Sequence, residues 1–155
     1  MKLDAGVDKD SGLIHTVVVS AANVHDITPA GELLHGDEEV VYTDAGYKCI
    51  AKKPEMSGKT TEFGVTMRPG KRRALPETPE GRLQDLIATD KAHIRSKGEH
   101  PFRVIKQQFS FQKTRLRGLA KNCCKIHVLA ALSNLFRAPT VAHDRPTRGL
   151  ICQYA

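Results

Sequence analysis

The segment Val40-Val41-Tyr42-Thr43-Asp44-Ala45-Gly46-Tyr47 is the strongest constraint on how this chain folds. An apolar, β-branched run that breaks at Asp-Ala-Gly predicts a buried strand ending in a turn, as in α/β sheets covered on their faces. The strand is expected from Glu39 to Thr43 and delivers Asp44 to the carboxyl edge of the sheet, where α/β proteins place their chemistry. A carboxylate at that point serves either as a metal ligand or as the cap of a turn, and these eight residues leave both readings open.

The preceding residues predict the rest of the scaffold. Leu3 to Val7 and Leu13 to Val19 read as two strands joined by the Asp8-to-Gly12 turn, with Asp8 and Asp10 given to the hairpin and Gly12 free to take a positive φ. The unbroken Val17-Val18-Val19 predicts a central strand. The first strand, carrying Asp4, is expected at an edge, where a charge discourages unwanted pairing. Thr28-Pro29 predicts a short helix through Leu34, ended by Gly36.

Residues 51 to 80 change character: Lys, Pro, Gly and Thr surround one short strand candidate, Glu62 to Met67. Arg68-Pro69-Gly70-Lys71-Arg72-Arg73 predicts an exposed turn in which Lys71, Arg72 and Arg73 are positioned to meet phosphates, or simply to solubilise the surface. Thr78-Pro79-Glu80 starts a helix that keeps apolar spacing through Leu83, Leu86, Ile87 and Ile94. Pro101 cannot continue it, because it has no N–H for the carbonyl of Lys97, so a break is expected near 98 to 101, with Glu99 opening the second segment. Lys113, Arg115 and Arg117 alternate as in an extended basic loop, and Ile126 to Phe136 is a final apolar helix. Beyond it, Pro139, Pro146 and Gly149 predict a disordered tail over 137–155.

Composition sets the outer bounds. A chain of 155 residues with 40% hydrophobic and 26% charged residues suits one domain, and the absence of Trp predicts an aliphatic core. No apolar run reaches membrane-spanning length and the first residues lack the pattern of a signal peptide, which predicts a cytoplasmic protein. The net charge of +7 is unevenly spread. Residues 1 to 50 hold three Lys/Arg against nine Asp/Glu, a net of −6, while residues 51 to 155 hold 21 against eight, a net of +13. The basic part suits a polyanion such as DNA or RNA, and the acidic part suits cations. Cys49, Cys123, Cys124 and Cys152 lack zinc-site spacing and are expected as reduced thiols. His25 beside Asp26 and His100 beside Glu99 are expected to order a turn or a helix start, and no Gly-x-Ser-x-Gly turn offers a nucleophile.

On a helix, Arg95 and Glu99 lie four residues apart and Lys106 falls seven beyond, giving a basic, acidic, basic stripe on one face. Such a stripe is either a solvated face with weak ion pairs or part of a site, and Phe102, Val104, Ile105 and Phe109 give the same segment packing surface.

Asp44-Ala45-Gly46-Tyr47 followed by Arg95-x3-Glu99-x6-Lys106 resembles the signature of the DDE transposases of bacterial insertion sequences, in the group that includes the IS-five type elements. Gly6-Val7-Asp8, Ser11 to His15, Ala21 to Asp26, Leu33 to Glu38 and Gly98 to Phe102 are similar to family segments in the expected order, so the resemblance covers roughly residues 2 to 136. The family motif begins with a Tyr where this chain has Ala92, which affects an accessory DNA contact.

The resemblance implies an RNase H-like α/β fold, partial over 1–136 with a basic insertion at about 51–80. It implies DNA as partner (transposon ends and target), a homo-oligomer on DNA, and Mg²⁺ or Mn²⁺ as cofactor. Asp44 and Glu99 would be the catalytic metal ligands, and Arg95 and Lys106 would contact phosphate. The family's first catalytic Asp lies on a strand upstream of Lys2 to Asp8, so this chain is expected to keep two of three carboxylates and to be inactive alone. Two divalent ions about 3.5–4 Å apart hold the attacking and leaving oxygens of phosphoryl transfer, and the first Asp bridges both. The alternative is a DNA-binding remnant or regulator without catalysis.

Overall fold

The computed structural model describes residues 1–24, 28–36, 38–47, 61–141 and 149–154. The expectations placed on His25, Asp26, Cys49 and residues 51–60 lie outside them. The chain opens with the expected hairpin. Strands β1 (Lys2–Asp8) and β2 (Ile14–Ser20) pair antiparallel, from Lys2 opposite Ser20 to Val7 opposite Ile14, with a bulge at Gly6/Val7. Asp8 shapes the turn: its Oδ2 accepts from the Ser11 N–H at 2.7 Å and from the Ser11 hydroxyl at 2.6 Å. Gly12 follows at φ +65°, a conformation that side chains resist. Helix α1 (Ala30–Leu33) then leads past Gly36, at φ +98°, into β3 (Val40–Thr43).

Strand β4 (Glu62–Val65) lies parallel to β3, with Val41 opposite Phe63. Arg68 to Arg73 was expected as an exposed turn, but Pro69–Arg73 forms a short helix, α2, because Pro69 suits the first helical position. Helix α3 (Pro79–Lys97) starts where Thr78-Pro79 indicates, with the Thr78 hydroxyl accepting from the Gly81 N–H. Its apolar row at Leu83, Leu86 and Ile87 is exposed. The break also falls as expected: Gly98 ends α3, and α4 (Glu99–Arg103) begins with the glutamate. A single wide π turn over Val104–Gln108 follows. Helix α5 spans Leu119–Val141, and none of the helices described is long and apolar enough to cross a membrane.

The expectation of a disordered tail over 137–155 does not hold for the described residues there, 137–141 and 149–154. Helix α5 runs to Val141, and Gly149–Tyr154 forms β5, which enters the middle of the sheet in the order β2-β1-β5-β3-β4. It is antiparallel to β1, pairing Asp4 with Tyr154 and Val7 with Ile151, and parallel to β3, pairing Tyr42 with Ile151. Pro and Gly around this stretch hide a strand whose stability comes from partners on both sides rather than from its own pattern.

The insertion reverses two further expectations. β1 is an interior strand and β2 an edge strand, so Asp4 is fully buried rather than guarding an edge. Strand β2 still reads as central because both its faces are partly covered: Val17 and Val19 pack toward one core and Val18 toward the other.

Alternation along the strands feeds two cores. On one face Leu3, Ala5, Val7 and Ile151 meet Phe102, Ile105, Ile126 and Leu129 from α4, the π turn and α5. On the other face Val41 and Cys152 meet Leu33 and Leu34 from the α1 segment, together with Tyr47. The core is mainly aliphatic, as expected, with Phe102 and Tyr47 as its buried aromatics. Ile151 and Cys152 thus stand back to back, one in each core, at 0% and 1% exposure.

Two outcomes follow for β5. Ile151→Ala should cost about 2–5 kcal/mol in urea unfolding, the range for truncating a fully buried aliphatic side chain. Burial pushes the Cys152 thiol up to about 12, from an ordinary value of 9.0. The folded chain therefore keeps a proton that the unfolded chain releases above pH 9, so stability falls as pH rises between these values. In the native protein near neutral pH, iodoacetamide should label exposed Cys124 and spare Cys152 until denaturant is added, as read by mass spectrometry of the two peptides.

Candidate active site

The strand β3 ends at Thr43, and the chain turns through Asp44 into a single helical turn, Ala45–Tyr47, closed by the Tyr47 N–H on the Asp44 carbonyl at 3.0 Å. The Asp44 carboxylate takes up the turn-capping role with one oxygen and turns the other toward a cationic side chain. Its Oδ1 accepts from the Ala45 N–H at 2.6 Å, which orders the turn, and from the Thr66 hydroxyl at 3.3 Å. Its Oδ2 points toward Arg95 of α3, 3.9 Å from Nη2.

Arg95 holds the second carboxylate as well. Its Nη1 donates to Glu99 Oε1 at 3.1 Å, the four-residue pairing read from the sequence, which survives the helix break. One guanidinium therefore lies between Asp44 and Glu99, and the two carboxylates converge from a strand end and a helix start. The side chains are one-third exposed at Asp44 and more than half exposed at Glu99. Pairs in such surroundings contribute roughly 0.3–0.5 kcal/mol each, so the arrangement adds little to stability.

Local packing explains why Glu99 comes so near. Gly98, at the junction of α3 and α4, lies against Ile151: a Cβ at that position would sit 2.8 Å from Ile151 Cγ2. The absence of a side chain at 98 lets the helix junction press onto β5, beside β3. Thr66 and this Gly98–Ile151 contact are site features that sequence reasoning missed. Thr66 follows β4 and reaches Asp44 because its N–H extends the parallel ladder to the Thr43 carbonyl at 3.0 Å, a register the sequence does not announce.

The remaining candidates are dispersed. Lys106 belongs to the π turn and lines a cavity with Leu3, Phe102 and Ile105. Arg72 is bound to Asp85 through Nε and through Nη2 at 3.2 Å, and to the Thr89 hydroxyl at 2.6 Å. That hydrogen bonding holds the Asp85 carboxyl below its ordinary range. Lys71 and Arg73 are exposed on α2, and Lys113, Arg115 and Arg117 are exposed on the connection between the π turn and α5. His100 is exposed in the first turn of α4.

The donor set fits one hard divalent ion. Mg²⁺ takes oxygen ligands, commonly one or two carboxylates with water completing the octahedron, and Asp44 and Glu99 supply such oxygens once Arg95 yields. Among the described residues no third His, Cys, Asp or Glu joins them, so they do not form a ready two-ion site.

A family model described as the transposase DDE domain matches residues 1–135. The chain belongs to this family, which ties it to DNA transposition and to a class of enzyme that works with divalent metal ions and DNA. No solved structure matches it.

A cation entering between Asp44 and Glu99 would compete with Arg95 for the same carboxylates. Arg95→Gln should therefore tighten Mn²⁺ binding, measured by titration calorimetry, while changing unfolding free energy by less than about 1 kcal/mol. Asp44→Asn should abolish the binding.

Proposed function

We propose that this chain is an RNase H-like DDE domain of the IS-five group of insertion-sequence transposases. It binds DNA through its basic residues and carries part of the machinery for metal-dependent strand cleavage and transfer. The observation that carries the reading is the convergence of Asp44 and Glu99 on Arg95, from the two elements where the resemblance puts the second Asp and the Glu. The five-stranded mixed sheet is compatible with such a fold.

Asp44 and Glu99 would hold Mg²⁺ or Mn²⁺, whose chemistry is to neutralise charge on the attacking and leaving oxygens of the scissile phosphate. The residues themselves do the positioning. The Ala45 N–H and the Thr66 hydroxyl fix Asp44 Oδ1 and so leave Oδ2 as the oxygen turned to the site. Arg95 steadies Glu99 in the absence of a cation and is a positive group in place to receive a phosphate when one enters. Lys71, Arg73, Lys113, Arg115 and Arg117, with Lys106, supply exposed positive charge for the DNA backbone, and Arg72 contributes only if it leaves Asp85.

A second reading is favoured by a specific observation. With Arg95 seated between Asp44 and Glu99 and no third such ligand beside them among the described residues, the chain would be a DNA-binding protein without cleavage activity, acting on DNA alone, as an oligomer, or beside a complete transposase. The two readings share DNA binding and part at catalysis, and we take the isolated chain to be inactive.

Gel-shift affinity for duplex DNA should fall steeply with salt, about 0.9 log unit per tenfold salt for each phosphate neutralised. Incubated with supercoiled plasmid and Mg²⁺ or Mn²⁺, the chain should leave the plasmid intact. Nicking that disappears in Asp44→Asn would refute inactivity, and failure to bind DNA at low salt would refute the nucleic-acid reading.

A further inference from the structure

Between the π turn and α5, the chain builds a pocket that the carboxylate site does not use. Ser110 takes φ +53°, a left-handed conformation uncommon outside glycine, and Phe109 and Phe111 flank it. The Phe111 N–H on the Ile105 carbonyl at 3.1 Å and the Gln112 N–H on the Ser110 carbonyl at 3.0 Å fix the turn. A cavity of about 630 Å³ opens here, with Phe109, Phe111 and Leu129 as its apolar lining and Lys113, Arg115 and Lys125 as its charged lining. Its size falls within the range of small-molecule sites.

The chemistry of the lining narrows the occupant. Three cations share the cavity, and among the described residues none of them is ion-paired to a carboxylate, so the pocket suits an anion. Lys125 Nζ stands 5.1 Å from the centroid of the half-buried Phe111 ring, whose other contacts are with the core, so a base reaches the ring by displacing this exposed ammonium toward its own phosphate. Phe109 is braced edge-on by Phe136 of α5, with centroids 6.3 Å apart. Gln112 adds an amide that both donates and accepts. Phosphate-binding cations around an aromatic floor with one amide match a nucleotide: the phosphates to Lys113, Arg115 and Lys125, the base against Phe111, its edge toward Gln112. A base inside a duplex has its faces stacked and its edge paired, and so cannot use such a floor.

We propose that this pocket binds an unpaired nucleotide of a DNA strand, giving the protein a preference for single-stranded segments over continuous duplex. The proposal rests on the nucleic-acid reading above and adds to it a second type of contact, stacking, beside the sequence-indifferent backbone contacts of the basic loops.

The test is fluorescence anisotropy of the full chain, at one fixed salt concentration, with a labelled single-stranded oligonucleotide and with its blunt duplex. The single strand should bind about tenfold tighter, the effect of roughly 1.4 kcal/mol of base stacking. Phe111→Leu should remove that preference while leaving duplex affinity unchanged, Phe111→Tyr should retain it, and Lys125→Gln, at an exposed position, should weaken the single strand more than the duplex. Equal affinity for the two DNAs, or a folded Phe111→Leu protein that keeps the preference, overturns the pocket and leaves the DNA reading intact. Should Phe111→Leu fail to fold, an unchanged single-strand affinity in Lys125→Gln overturns it instead. Binding to neither DNA overturns both.

Discussion

The pairing of β5 with its two neighbours is the interaction on which the rest of this structure depends. Among the described residues the β1–β2 hairpin and the β3–β4 pair are joined in the sheet through that strand, which runs antiparallel to β1 and parallel to β3. Removing it would leave two unpaired edges in the centre of the molecule, each with backbone groups that need partners. The same six residues also join the two cores, since Ile151 packs toward α4 and α5 and Cys152 toward the α1 side.

The carboxylate site inherits its geometry from that arrangement. Asp44 is set by the end of β3, whose position in the sheet is fixed by β4 on one side and β5 on the other. Glu99 is set by the junction of α3 and α4, which approaches the sheet because Gly98 has no side chain to hold it off Ile151. Arg95, one turn earlier on α3, then spans the gap. Family membership connects this constellation with transposition, but the convergence itself is a matter of strand order, one glycine and one four-residue spacing.

Much of this was legible in the sequence where the signals are local. The break after Thr43, the Asp8 turn with Gly12, the Thr78-Pro79 helix start and the Gly98-to-Pro101 interruption each follow from the chemistry of a few adjacent residues. The Arg95–Glu99 pair follows from helical spacing. What was hidden depends on long-range partners or on irregular backbone. Gly149–Tyr154 gains its strand character from β1 and β3, and flanking residues of loop type conceal it. The π turn that carries Lys106 has a wider period than the spacing argument assumes, and nothing local announces it. Arg72 was read as a free cation because its partner, Asp85, lies on another helix.

The order of the strands also has a consequence for how the molecule comes into being. Asp4 pairs with Tyr154, so the middle of the sheet joins residues from opposite extremes of the sequence. Such non-local closure is slow, because the entropy of bringing the segments together is lost before the contacts form. While the chain emerges from the ribosome, the hairpin and the β3–β4 pair must wait with open flanks until residues 149–154 have been made. Assembly of the sheet therefore waits on that strand, and the nascent protein is most vulnerable to sticking to its neighbours just before it arrives.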